Sequence, residues 1–385
     1  MVSSPEERLG GAFDSLDPDL QALVGDLAKR IYGGEEITFD SDLLHHTAKP
    51  LVDGLQKGYG KSLAEVEYNS PDYKALENLT KNAFKFSASK DFHILQDMTN
   101  ALRDGDRVRS FQEFRAEVDK INVKYNQNWL RTEYNQAIAA SQATARWQEF
   151  QENAKAMPFL QYQAVMDSNT RPDHQRLHGV IKRIDNPFWN THFPPLGWGC
   201  RCEVIQLPGK NHKETPDGSF QKPDVPPQFR ENFGKKQQLF SDKHPYYEGV
   251  PENVKAKAEK KSLNAYYEKI VKEKVNELIP PGGIIVKSDK LYSGEIEITR
   301  KDCQNLISHV PGVYKTYTLE VLEHIGELEQ IKDGADKDHT SNKNAMFVKF
   351  NYYQLSLPDK TLFVSIGVTK SGKEKLYTVR DKQKK

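Results

Sequence analysis

The sequence predicts a multidomain α+β protein: a mainly helical N-terminal scaffold, a loop-rich Cys/His unit between short strands, and a small α+β C-terminal domain. Three observations carry this. Apolar residues recur near the helical period through most of residues 62–155. Residues 167–202 then gather two of the three cysteines, three of the eleven histidines and two of the four tryptophans among prolines that forbid long regular elements. Beyond Pro280-Pro281-Gly282-Gly283 the pattern changes to short alternating segments. The expected divisions are 1–60, an N-terminal helical arm; 61–207, the principal domain; 208–280, a linker, aromatic arm and charged helix; and 281–385, the small α+β domain.

The first arm offers helices over 20–31 and 43–55, between glycine breaks. His45 and His46 are adjacent on the second, so their rings diverge and do not make a metal pair. In 62–155, Tyr73, Leu76, Leu79, Ala83 and Phe84 mark one stripe and Phe92, Leu95, Met98 and Leu102 another. RDGDRVR at 103–109 interrupts them. Ser110 with Glu113 forms a capping-box signature before Phe114, Val118 and Ile121. Residues 123–150 read as one long helix whose alanines permit close approach of a neighbour. Arg131 and Glu133 are too near in sequence to pair on one face, so each requires a tertiary partner. Residues 160–165 and 203–207 alternate as strands able to pair, bracketing the Cys/His unit.

Residues 208–227 are rich in Pro, Gly, Lys and Asp and predict a linker. Phe229, Phe233, Phe240, Tyr246 and Tyr247 follow as anchors of an extended arm. A charged helix spans 251–278, with Leu263, Tyr266, Ile270, Val275 and Leu278 as its stripe. In the last domain strands are expected at 284–286, 295–299, 345–351, 361–367 and 375–379, with a helix over 316–331.

Composition limits the function classes. The 385 residues carry 55 basic and 54 acidic side chains, a formal net charge of +1, so no charge excess argues for a nucleic-acid partner. Three cysteines do not make a disulfide framework. The N-terminus lacks the apolar core of a secretory signal and no run is long enough to span a membrane, so a protein with no membrane association is expected.

The Cys/His unit carries the candidate chemistry. Cys200 and Cys202 form a C-x-C; with His174, His178 or His192 they complete a mixed sulfur–nitrogen set suited to zinc. The alternative is a structural mini-core in which Trp189 and Trp198 supply mass and Asp167 pairs with Arg171 or Arg201. A Cys/His nucleophile lacks a visible orienting residue. A zinc-dependent hydrolase would need an open coordination position and a base such as Asp173 or Asp167.

TEYNQAIAAS, YQAVMDSNTRPDHQRLHG, DNPFWNTHFPPLGWGCRC and HPYYEGV, in that order, resemble the phage Mu protein F-like family. These are minor head, or head morphogenesis, proteins of tailed phages, related to the minor head protein of phage SPP1. The resemblance covers roughly residues 60–250. It implies a structural protein of few copies acting in procapsid assembly, with portal, capsid and scaffold proteins as partners and DNA contact in the head interior. It also implies residence in the host bacterial cytoplasm and then in the virion head. Many members carry a cysteine where this chain has Arg171, which leaves the metal set here one thiol short.

Residues 283–385 look similar, more loosely, to the barnase/EndoU/colicin/RelE-like nucleases found fused to such proteins. A metal-independent ribonuclease acting on RNA needs an acid, a base and groups that neutralise phosphate. His309, His339, Lys315, Ser365 and Tyr377 are the candidates; His324, on a helix flank, reads as structural or exposed. The competing expectation is a non-enzymatic appendage.

Overall fold

Asp17, Asp40, Ser70 and Ser110 each precede a helix, and each side chain accepts a hydrogen bond from a first-turn N–H. In this computed structural model, which describes residues 17–63, 65–67, 70–310, 314–334, 347–358 and 360–380, those caps start α1 (Pro18–Tyr32), α2 (Ser41–Tyr59), α3 (Pro71–Asn100) and α4 (Phe111–Asn122). The hairpin of β1 (Arg103–Asp104) and β2 (Arg107–Val108) separates the last two. Ser110 and Glu113 form the expected capping box, each satisfying the other's backbone N–H. Ser110→Ala is therefore expected to cost about 1 kcal/mol of stability in urea unfolding.

Helix α4 continues through a π-helical turn at Val123–Trp129 into α5 (Leu130–Asn153). Leu27, Leu43, Met98, Phe114 and Val118 meet in one apolar core. Against α5, α2 presents glycine: a Cβ at Gly54 would stand 3.0 Å from the Tyr134 ring, and one at Gly58 would collide with Ser141 and the Ile138 carbonyl. Small residues on both helices thus set their close approach. Glu133 finds its tertiary partner on α3, where Lys90 Nζ donates at 2.6 Å and both side chains are buried.

After α5 the chain forms β3 (Phe159–Gln163), the single turn α6 (Pro172–Gln175), β4 (Ile181–Arg183) and β5 (Glu203–Leu207). The bracketing strands pair antiparallel, Tyr162 opposite Val204, and β4 joins the other side of β3 in the order β4-β3-β5. The expected linker is more ordered than its composition suggested. Thr215 exchanges backbone and side-chain hydrogen bonds with Ile181, and Glu214 accepts from the Arg183 N–H, so residues 214–215 lie along β4.

The aromatic arm docks as expected. It passes α7 (Phe233–Lys236) and returns to α3, where the Phe240 ring stacks on Phe86 at 3.6 Å and Asn82 bonds the backbone of Leu239 and Phe240.

The chain divides into two compact units, Met1–Ala258 and Glu259–Lys385, the division falling within α8 (Glu252–Leu278). The second unit holds the hairpin β6 (Ile284–Lys287) and β7 (Glu295–Ile298), then α9 (Arg300–His309) and α10 (Tyr314–Glu323). An antiparallel sheet of β8 (Glu329–Gly334), β9 (Phe347–Ser356), β10 (Thr361–Thr369) and β11 (Glu374–Arg380) follows in the order β11-β10-β9-β8. The helix expected to reach residue 331 stops at Glu323. A 3-10 turn at Ile325–Glu327 intervenes, and the charged run that follows is strand β8. Ile325 and Leu328 are buried as the periodicity required, but from beyond the helix end.

Candidate metal centre

Two arginines assemble the centre from distant segments. Arg201 donates to both carboxylate oxygens of Asp167, at 2.8 and 2.5 Å. Asp167 also accepts from the Asn169 N–H and the Thr170 hydroxyl, which shapes the turn leading into α6. Arg171 reaches the other way and donates to the Trp198 carbonyl at 2.8 Å. Of the pairings anticipated for Asp167, Arg201 is the partner and Arg171 serves the backbone of the opposite loop.

The result places His174 Nδ1 3.7 Å from Cys200 Sγ and 3.7 Å from Cys202 Sγ. The three ligand atoms lie within 4.8 Å of one another; His174 and Cys202 are buried and Cys200 is half-buried. His178 and His192, offered as alternatives by the sequence, stand outside this group. His178 sits on the exposed side of the turn after α6. His192 stacks on Phe188 at 4.8 Å and pairs its Nδ1 with the Thr191 hydroxyl, so its ring belongs to the mini-core. Trp189 is fully buried in that core, and Trp198 meets Phe229 edge-to-face at 5.0 Å.

The electrostatics favour one thiolate in the pair. Cys200 is drawn well below the ordinary thiol range because Cys202 donates to it, with His174 adding. Cys202 is pushed up by the same neighbour and by burial. Burial also pushes the Tyr162 hydroxyl up, reinforced by both cysteines. Arg201 chiefly holds the Asp167 carboxylate down to about 2. An ordinary carboxylate titrates near about 3.9, so this pairing stabilises the fold fully above that pH and is lost as pH falls toward about 2. Asp167→Asn should therefore flatten the acid limb of a stability–pH curve between about 4 and about 2, read by tryptophan fluorescence.

The three donors could hold a metal ion, three of the four ligands that a closed tetrahedral zinc site takes. With Zn–S near 2.3 Å and Zn–N near 2.0–2.1 Å, tetrahedral geometry separates nitrogen from sulfur by about 3.6 Å, close to the observed 3.7 Å. Two thiolates and one neutral imidazole also cancel the charge of a divalent ion, which lowers the penalty of burying it.

The family model described as "Phage Mu protein F like protein" matches residues 92–205, from within α3 to the middle of β5, and so encloses every residue of this centre. This segment is similar to phage Mu protein F. The "Putative capsid assembly protein F" of Escherichia phage Mu is 42% identical over 85 residues, 22% of this chain and 19% of that protein. The "Mu-like prophage FluMu F protein" of Haemophilus influenzae is 49% identical over 63 residues, 16% of this chain and 15% of that protein. The matched stretches thus span about a fifth or less of those relatives. No solved structure matches the chain.

Outside the F-like segment, the structure places the second set of sequence candidates as follows. Lys315 is buried, and its ammonium bonds the Ile307 carbonyl and Glu268 within the packing of α10. Tyr377 lies where β11 bulges opposite Ser365 and Ile366, and its ring packs on Phe350 at 4.7 Å. Ser365 is a ladder residue of β10, paired with Thr378 and Tyr352. His309 is the last residue of α9, and His339 lies outside the described residues. His324 is exposed beside Glu327, as expected of a flank residue. Among the described residues, His174, Cys200 and Cys202 are the grouping with metal-ligand spacing, and it falls in the F-like segment.

One member of the centre was not singled out from sequence. Tyr162 was legible only as a buried position of an alternating strand. The pairing of β3 with β5 sets it opposite Val204, two residues along the chain from Cys202.

Proposed function

We propose that this chain is a minor structural protein of a tailed-phage or prophage head, acting in procapsid assembly together with portal, capsid or scaffold proteins. The F-like segment carries the reading: the family model covers residues 92–205, which hold the clamped centre, and the capsid assembly protein F of phage Mu is 42% identical over 85 residues. The organisation supports it as well. The aromatic arm is held by side chains of α3, a mode of packing suited to an assembly component. No helix among the described residues is long and apolar enough to cross a membrane. The test is deletion of residues 92–205 from the encoding phage or prophage. Induced lysates should lose infectious titre and show missing or aberrant heads in electron micrographs, while unchanged titre with normal heads would refute the assignment.

Within that role, His174, Cys200 and Cys202 hold a zinc ion whose work is structural. The ion ties the turn after Asp167 to the strand beginning at Glu203, across a unit with little regular structure of its own. Supporting this are the donor spacing and the burial of His174 and Cys202.

A further inference from the structure

The aromatic arm is held by its main chain as much as by its rings. Between Gln237 and Gly249, both in the left-handed region at φ 53° and 70°, it crosses α3 and α5. Asn82 of α3 accepts from the Leu239 and Phe240 N–H groups, both at 2.9 Å, and donates to the Phe240 carbonyl at 3.0 Å. Gln136 of α5 donates to the Leu239 carbonyl at 3.1 Å, and the His93 ring meets the Tyr246 carbonyl at 3.0 Å. Phe240 and Tyr246 are the anchors, the first stacked on Phe86 and the second 5.3 Å from it. The floor beneath them is charged. Lys90 lies on the α3 face between Phe86 and His93, and Glu133 on the α5 face between Trp129 and Gln136, at spacings of four and three residues. The buried Lys90–Glu133 pair thus sits under the arm.

We infer that α3 and α5 form a peptide-binding groove, filled in cis by residues 237–250, that also takes the same segment from a second copy of this chain. Recognition of main-chain groups with two aromatic anchors is that of a docked peptide. The arm joins no sheet among the described residues, so lifting it breaks no strand pairing and leaves both helix ladders whole. Lifting also returns the Lys90–Glu133 pair to water, restoring hydration that covering the pair removed. The Tyr247 hydroxyl, buried in the docked arm without a hydrogen-bond partner, gains one from water. Baring this floor therefore costs less than baring an apolar core of the same area. The same bonds form whichever chain supplies the arm. Exchange between copies thus needs no new surface, only a raised local concentration.

The probe is a fluorescently labelled peptide of residues 237–250, its binding to full-length protein read by anisotropy. Phe240→Ala has an intact groove and a weakened arm, and should bind the peptide about 100-fold more tightly than wild type, whose own arm competes at an effective concentration on the order of millimolar. Adding Asn82→Ala to that variant should remove most of the gain. Equal binding by wild type and Phe240→Ala, or equal binding of a scrambled peptide, overturns the inference. Labelled full-length Asn82→Ala, with its arm intact and its groove weakened, should bind Phe240→Ala as the peptide does; failure there overturns exchange between copies. Hydrogen exchange on wild type gives a check that needs no variant. The Leu239 and Phe240 amides should exchange at least about 10-fold faster than amides in the middle of α3 and α5. Equal protection would mean that the arm leaves only when the whole unit unfolds, and the inference would fall.

Discussion

Replacing Glu133 by Gln, with Lys90 left in place, is expected to destabilise the first unit by about 3–5 kcal/mol. The Lys90 ammonium is buried between α3 and α5, where it pairs with the Glu133 carboxylate at 2.6 Å. Removing that charge strands a cation out of reach of water, and the stranded cation, rather than the lost attraction, dominates the cost. The neighbourhood worsens the penalty for any disturbance. Asp91, one residue on, is buried with a carboxyl pushed up to about 8 by burial, and the Thr47 hydroxyl donates to it. Urea unfolding of Glu133→Gln should show the loss. Lys90→Met combined with Glu133→Leu should recover most of it, because apolar replacement of a whole buried pair is often neutral or stabilising. A double variant as unstable as the single one would show that the pair itself, and not the uncompensated charge, holds α3 to α5.

The second large effect concerns the metal. Zinc at a thousandfold excess over its dissociation constant stabilises the folded state by about 4 kcal/mol. EDTA should therefore lower the unfolding midpoint of wild type by several degrees, and added zinc should restore it. Cys202→Ser and His174→Ala should each remove both the bound zinc, measured by elemental analysis of purified protein, and the EDTA response. Because the thiols must lose protons to bind, zinc affinity should rise with pH in the neutral range. His178→Ala and His192→Ala should leave zinc stoichiometry at the wild-type value, since neither ring belongs to the ligand group.

Much of the architecture was legible because its causes are local. The capping box at Ser110 and Glu113 is a short-range exchange of hydrogen bonds, and the chain forms it where the residues say. The strand at Glu203–Leu207 follows from alternation, and α8 from its long run without a breaker. The failures have equally specific causes. The helix expected through residue 331 kept its buried positions but ends at Glu323, because a 3-10 turn and the residues after it can bury Ile325 and Leu328 as well as a helix can. The linker's composition concealed Thr215 and Glu214, whose hydrogen bonds with β4 exist only once β4 has paired with β3.

The centre divides along the same line. From the residues alone it followed that Cys200, Cys202 and a histidine were available, that Asp167 called for an arginine, and that Glu133 required a tertiary partner. Each follows from residue chemistry and from the cost of an unpaired buried group. It took the folded chain to make the histidine His174, the arginine Arg201 and the partner of Glu133 Lys90. Those choices depend on which turn a guanidinium can span and which strand lies next to which. Such distances are set by packing between segments far apart in the chain, and one-dimensional order does not contain them.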